Sequence, residues 1–330
     1  MQKPNQQRAP KWPITVPLLF FILIVMITTL PVILPLTLLL SLVPGYRGAT
    51  RTLLFLLCYL VCEVVGVVAS AWITLRYPRS GKHFQTANFK LQCWWASALW
   101  KSARRIFSLS FHTHGAEALH GSAAILLPRH TSIADTILPM VYYAIPQDCR
   151  LRYVLKTELQ WDPCLEIVGH RLPNYFVERG ATDSAAEISG VANLLRHAPP
   201  NEGVLLYPEG TRYSEKKHAA LQAKAKDNAE LTAQITRWPS LLPPRLGGYQ
   251  ALLDANTQHD LLFMAHVGFG GSSSFGQLLN NSWAHSEVHM EFWRVPFADI
   301  PIDTDQRREF LFTQWDRMQQ TVERLKLLRN

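Results

Sequence analysis

The chain has 330 residues and a formal charge of +8; hydrophobic residues make up 48% of it and charged residues only 18%. That charged share lies below the roughly 25% of an ordinary soluble domain, so the composition excludes disorder, collagen and coiled coil and argues against a wholly soluble protein. The shortfall is local, because between Trp12 and Leu75 the only charges are Arg47, Arg51 and Glu63.

Ile14 to Val43 is an uncharged run of thirty residues. As a single helix it would reach about 45 Å, against a hydrocarbon core of about 30 Å, so it must tilt or bend, and Pro31 and Pro35 offer the bend. A second apolar run, Thr52 to Leu75, is interrupted only by Glu63. A secretory signal fits poorly, since its apolar stretch is about 7–15 residues long. The expectation is a membrane anchor over residues 1–78 with two hydrophobic segments, 14–43 and 52–75. Glu63 either marks function, is protonated or faces the first helix. Flanking cations place both ends of the pair in the cytosol. The short loop Gly45–Arg51 also carries two arginines, which a re-entrant hairpin that never crosses accommodates as well.

Residues 1–75 carry a net +4 and residues 76–116 a net +7, leaving 117–330 at −3. Positive charge confined to the apolar end reads as contact with anionic headgroups and not with nucleic acid. Residues 79–115 interleave Phe84, Phe89, Trp94, Trp95 and Trp100 with Lys101, Arg104 and Arg105. This suits an interfacial helix, or an amphipathic helix packed on the following domain, and both can hold on different faces. His112 and His114 have no ligand-spaced partner in the sequence and read as surface residues. Five cysteines show neither a C-x-x-C pair nor zinc spacing, so no disulfide and no metal is expected.

Beyond residue 116, β-rich runs alternate with helical patterns, as in an α/β domain. Expected strands are Ala123–Pro128, Tyr175–Glu178, Val204–Tyr207, Leu262–Val267 and Val288–Val295. Expected helices are Thr182–Arg196, Ser214–Ile235 and Asp305–Leu328. In the last of these, Trp315, Met318, Val322 and Leu325 form an apolar stripe that reads as core. Gly268-Phe-Gly-Gly-Ser-Ser-Ser lacks the helix and acidic partner of a dinucleotide fingerprint, so it reads as a flexible, acyl-proximal loop.

Three motifs carry chemistry. His130-Thr-Ser-Ile-Ala-Asp135 directly follows the first of these strands. In a continuous helix, residues five apart diverge by about 140°. The pair therefore meets only if His130 lies in the loop and Asp135 in the first helical turn, with Thr131 or Ser132 as cap. A carboxylate on one imidazole nitrogen fixes the tautomer and leaves the other nitrogen to accept a proton. Tyr207-Pro-Glu-Gly-Thr-Arg212 closes a second apolar strand, at the carboxyl end where open α/β sheets place ligands. Tyr175-Phe-Val-Glu-Arg179 ends a third.

In this order and separation, His130-x4-Asp135, Phe176-x-x-Arg179 and Pro208-Glu-Gly-Thr-Arg212 resemble the glycerolipid acyltransferases, over about residues 90–300. The resemblance is closer to the lysophosphatidate and lysocardiolipin acyltransferase-like branch. Its marks here are Ser214-Glu-Lys-Lys-His218, Leu242-Pro-Pro-Arg-Leu-Gly-Gly248 and the late strand Val288 to Pro296. The sequence departs from the family at Arg129, where Asn or Ser is usual, and at Pro173-Asn174, where a glycine is usual. The resemblance implies a mixed α/β sheet with helices on its faces over residues 116–330. It also implies acyl transfer from acyl-CoA or acyl-carrier protein to the free hydroxyl of a lysophospholipid such as 1-acyl-glycerol-3-phosphate. In that reaction His130 is the base and Asp135 orients it. Arg179 and Arg212 hold phosphate, while Glu209, Gly210 and Thr211 position the glycerol or the phosphate-binding loop. No Gly-x-Ser-x-Gly elbow is present for an acyl-enzyme, and no cofactor is implied. An acyltransferase for a non-phosphate lipid and a non-catalytic membrane scaffold are the competing readings; the two arginines argue against the first and the intact His130–Asp135 pair against the second. The expected setting is a bacterial inner membrane, with the domain cytosolic, because the chain ends at Asn330 without further membrane spans.

Overall fold

The computed structural model describes residues 9–79, 81–177, 184–196, 198–269 and 275–329. Two apolar helices come first: α1 (Trp12–Leu40) and α2 (Ala49–Arg76). Both are long and apolar enough to cross a membrane. Three prolines lie inside α1, at Pro17, Pro31 and Pro35, and the helix runs through them. Only Thr15 and Leu19 of α1 are buried, so much of its apolar surface faces outward.

α2 differs, because one stripe of it is buried from Ala49 to Ile73. Gly66 makes this approach possible: a Cβ there would stand 2.5 Å from Cys164 Sγ. The contacts run the whole length of the helix. At its start Gly48 N donates to Leu279 O at 2.8 Å and Arg51 Nη1 to Asn281 Oδ1 at 2.9 Å. At mid-helix Tyr59 donates to Asp162, and Glu63 accepts from Trp95 Nε1 at 2.7 Å and Cys164 N at 3.0 Å. Near its end Arg171 donates to Ser70 O at 2.8 Å and Thr74 Oγ1 at 2.9 Å. Glu63 thus faces the domain and not α1. α3 (Lys82–Ile106) packs between α2 and the sheet through Phe84, Phe89, Leu91, Ala96 and Leu99, while Trp94 stays exposed.

Among the described residues the sheet has seven strands: β1 (Ser110–His114), β2 (Ile125–Pro128), β3 (Arg150–Lys156), β4 (Tyr175–Val177), β5 (Glu202–Leu205), β6 (Leu261–Val267) and β7 (Glu287–Val295). Their spatial order is β1-β7-β6-β2-β5-β3-β4, with β6 and β7 antiparallel and every other neighbouring pair parallel. The remaining helices are α4 (Pro163–Arg171), α5 (Ser184–Arg196), α6 (Glu215–Lys224), α7 (Ala229–Arg237), α8 (Leu246–Ala255) and α9 (Thr304–Leu327). One face of the sheet packs with α2 and α3 around Leu126, Leu262, Met264 and Met290. The other packs with α5, α8 and α9 around Leu127, Phe263 and Ala265, and Trp315, Met318, Val322 and Leu325 are wholly buried there. This is a mixed α/β fold with helices on both faces, preceded by two apolar helices.

Three expectations need correction. β1 and β3 escaped the sequence reading because neither alternates cleanly between apolar and polar. β1 is a half-exposed edge strand, and β3 carries Arg152, whose guanidinium is satisfied by Glu202 Oε2 at 2.7 Å. The single helix expected over Ser214–Ile235 is two, because Asn228 leaves the first and caps the second, accepting from Leu231 N at 2.9 Å. His112 is exposed, as expected, and His114 half-buried, but they are not isolated, since the β1–β7 pairing sets His112 opposite His289.

Candidate active site

β2 ends at Pro128 and delivers His130 to the carboxyl edge of the parallel strands. The chain then turns through a short 3₁₀ helix, Ile133–Thr136, capped by Ser132, whose Oγ accepts from Ala134 N at 3.1 Å. That turn folds Asp135 back: its Oδ2 lies 3.0 Å from His130 Nδ1 and accepts from Thr131 N at 2.5 Å and Ser132 N at 2.7 Å. His266, at the end of β6, closes the other side, with its Nε2 at 3.2 Å from Asp135 Oδ1. Tyr207 lays its ring 4.2 Å from the His130 ring and donates to Asp135 O at 2.8 Å.

The electrostatics suit a proton acceptor. Burial lowers the His130 pKa more than Asp135 raises it, and Lys156 and Arg212 lower it further. Burial alone would raise the Asp135 pKa, but His266 and His130 outweigh it and hold the carboxyl well below the usual range. A neutral imidazole beside an ionised carboxylate follows.

The Pro208–Arg212 loop lies alongside. Glu209 is buried, and both its oxygens are engaged by backbone donors, His130 N at 2.7 Å and Leu242 N at 2.9 Å. It therefore ties the His130 loop to the Leu242 turn, and burial pushes its pKa up to about 7 despite these bonds and Arg129. Gly210 has φ +65°, a left-handed conformation that favours glycine, and a Cβ there would stand 3.0 Å from Arg245. Thr211 Oγ1 and Arg212 O both accept from Lys217 Nζ, at 2.9 and 3.0 Å. Arg129 is buried and bridges His266 O at 2.7 Å and Ser240 O at 2.9 Å. Arg179 and Gly270–Ser274 lie outside the described residues.

A cavity of about 530 Å³ begins at His130, Lys156 and Arg212 and continues between α2, α3, α4 and the sheet. Its deeper wall is apolar, with Phe55, Trp95, Leu99, Leu165, Val168 and Phe269. The site thus joins a buried imidazole and two cationic side chains to an apolar chamber. The sequence reading did not find Lys156, Tyr207 or His266 as site residues. No short spacing links His266 to His130; what joins them is the adjacency of β2 and β6.

The mixed sheet thus presents a His-x4-Asp pair and a Pro-Glu-Gly-Thr-Arg loop at one edge. The acyltransferase family matches residues 110–243 of the chain. A curated relative, the 1-acyl-sn-glycerol-3-phosphate acyltransferase epsilon of Mus musculus, is 23% identical over 203 residues, covering 58% of this chain and 55% of that protein. The chain therefore spans about half the length of this relative. Among solved structures it is similar to the 1-acyl-sn-glycerophosphate (LPA) acyltransferase PlsC from Thermotoga maritima. That likeness has a TM-score of 0.56 at 13% identity and covers 86% of this chain and 98% of the other.

Proposed function

We propose that the protein transfers a fatty acyl group from acyl-CoA or acyl-carrier protein to the free hydroxyl of a lysophospholipid such as 1-acyl-glycerol-3-phosphate. The observation that carries the reading is the His130–Asp135 pair opening, beside Arg212 and Lys156, onto an apolar cavity able to hold a fatty chain. His130 Nε2 takes the hydroxyl proton as the oxygen attacks the thioester carbonyl carbon. The tetrahedral intermediate then collapses, the carbon–sulfur bond breaks, and the departing thiolate takes the proton back from His130. Asp135 holds the imidazole in the required tautomer and stabilises its cation. Arg212 faces the acceptor phosphate, with Arg179 beside it by family resemblance, because guanidinium forks match phosphate oxygens. Glu209, Gly210 and Thr211 shape the loop that presents Arg212.

The chemistry belongs at a bilayer, where acceptor and product both reside. The outward apolar face of α1, with Phe21, Ile24, Val32 and Leu36 exposed, supports insertion. The domain meets the hairpin at its start (Lys11 N to Glu166 Oε1, 2.7 Å), at its Gly45–Arg51 loop and at its far end. Those contacts favour a hairpin lying in one leaflet beside the domain over one that crosses, and they keep the cations of residues 76–116 at headgroup height on the cytosolic side.

The test is a lysolipid panel with labelled acyl-CoA and acyl-carrier protein, using the purified full chain in detergent. Acylation of phosphorylated lysolipids, with Arg212→Ala raising the KM for the acceptor more than that for the thioester, is expected. Preference for acceptors without phosphate, or an equal loss for both substrates, would contradict the reading.

A further inference from the structure

The sheet builds a second cluster of chemistry-bearing side chains at its β1 edge, away from the acyl cavity. In the parallel β1–β7 register His112 stands opposite His289, and the two-residue alternation puts His114 and Glu287 on the same face. The His112 and His289 rings stack at 4.6 Å, and His114 Nε2 comes within 3.3 Å of His289 Nδ1. One ligand atom from each of His112, Glu287 and His289 lies within 4.8 Å of the other two. His289 is only 7% exposed, and its Nε2 makes no hydrogen bond although a Glu287 oxygen stands 3.8 Å away. Leaving a buried polar atom unsatisfied is unfavourable, and a bound cation would offset that cost.

We propose that His112, His289 and Glu287 bind one divalent transition-metal ion, with His114 at the other ring nitrogen of His289 holding that imidazole in place. Two imidazoles and a carboxylate suit zinc, nickel or copper better than magnesium or calcium, which prefer oxygen shells. Ligands on one tetrahedral zinc lie about 3.3 Å apart, given metal–ligand bonds of about 2.0–2.1 Å. His112 and Glu287 are exposed, so their side chains have room to rotate toward that spacing. His289 pairs with Val267, whereas His266 pairs with Met290. The cluster therefore lies on the opposite sheet face from His266 and Asp135, and the ion takes no part in acyl transfer. Its effect is to clamp the edge strand β1, which connects α3 to the sheet, onto β7.

The experiment is a cobalt(II) titration of the full chain in detergent, carrying no polyhistidine tag, followed by visible absorption and then by zinc(II) competition. One cobalt per chain is expected, displaced by zinc, with zinc slowing amide exchange in residues 110–114. The exposed-site variants His112→Ala and Glu287→Gln should each weaken binding by at least the about 10–100-fold that outer-shell changes cost. The control His120→Ala, an exposed histidine elsewhere, should bind as wild type does, and all three variants should keep wild-type acyl transfer. Absence of a stoichiometric site, or equal binding by His112→Ala and His120→Ala, would overturn the proposal. Neither result bears on His130, so the acyl-transfer reading stands or falls separately.

Discussion

Asp135 accepts two backbone N–H groups and faces an imidazole from each side, His130 at one oxygen and His266 at the other. His266 from β6 thus adds an electrostatic contact to an orientation set first by Asp135's own turn. His266→Gln should leave the KM of both substrates near wild type and lower kcat by about tenfold, a fraction of the roughly 10²–10⁴-fold that general-base assistance supplies. His266 is one of the groups that hold the Asp135 pKa down, so the acid-side loss of activity should also begin at a higher pH in the variant. A pH profile that superposes on wild type would mean that His266 only fills space. At this scale the sequence was informative where chemistry is local. The His130-x4-Asp135 spacing was legible because one capped turn closes it. His266 was not, because 130 residues separate it from Asp135 and only strand adjacency brings them together.

The Pro208–Arg212 loop and the α1–α2 hairpin each permit a test at the scale of an element. Glu209 is raised from an ordinary 4.5 to about 7, first by burial. Between those values the folded chain keeps a proton that the unfolded chain has lost, so its contribution is complete below 4.5 and fades as pH rises through about 7. Glu209→Gln should remove that part of the pH dependence. It should also cost about 1–3 kcal/mol at acid pH, because the amide group cannot accept from both backbone donors. Thermal unfolding of the two proteins across this range checks both, and identical slopes would contradict the assignment. For the hairpin, cysteines placed at the exposed positions Tyr46 and Leu328 should react with an impermeant reagent from the same side of the membrane. Labelling from opposite sides would show that α1 crosses. The apolar runs announced both helices, but their docking was not legible. It depends on Gly66 admitting Cys164 and on Glu63 meeting Trp95, contacts between residues far apart in the chain. The fully buried strands were legible for the same reason that β1 and β3 were not: apolar continuity marks a central strand, and edge or ion-paired strands lack it.

Across the whole molecule, membrane attachment, cavity and charge serve one geometry. In the proposed function, the apolar face of α1 and the +7 of residues 76–116 are the features that would hold the domain at a bilayer. On the same reading the cavity between α2, α3 and the sheet takes the acyl chain, and His130 lies at its polar end. In the proposed mechanism this imidazole is the base, kept neutral by a burial effect that outweighs Asp135. The most direct measurement of that role is acyl transfer from labelled acyl-CoA to 1-acyl-glycerol-3-phosphate by purified His130→Ala and wild-type protein in the same detergent, with thermal unfolding followed in parallel. Turnover should fall by about 10²–10⁴-fold while the unfolding midpoint stays near wild type. Wild-type turnover by folded His130→Ala protein would contradict it.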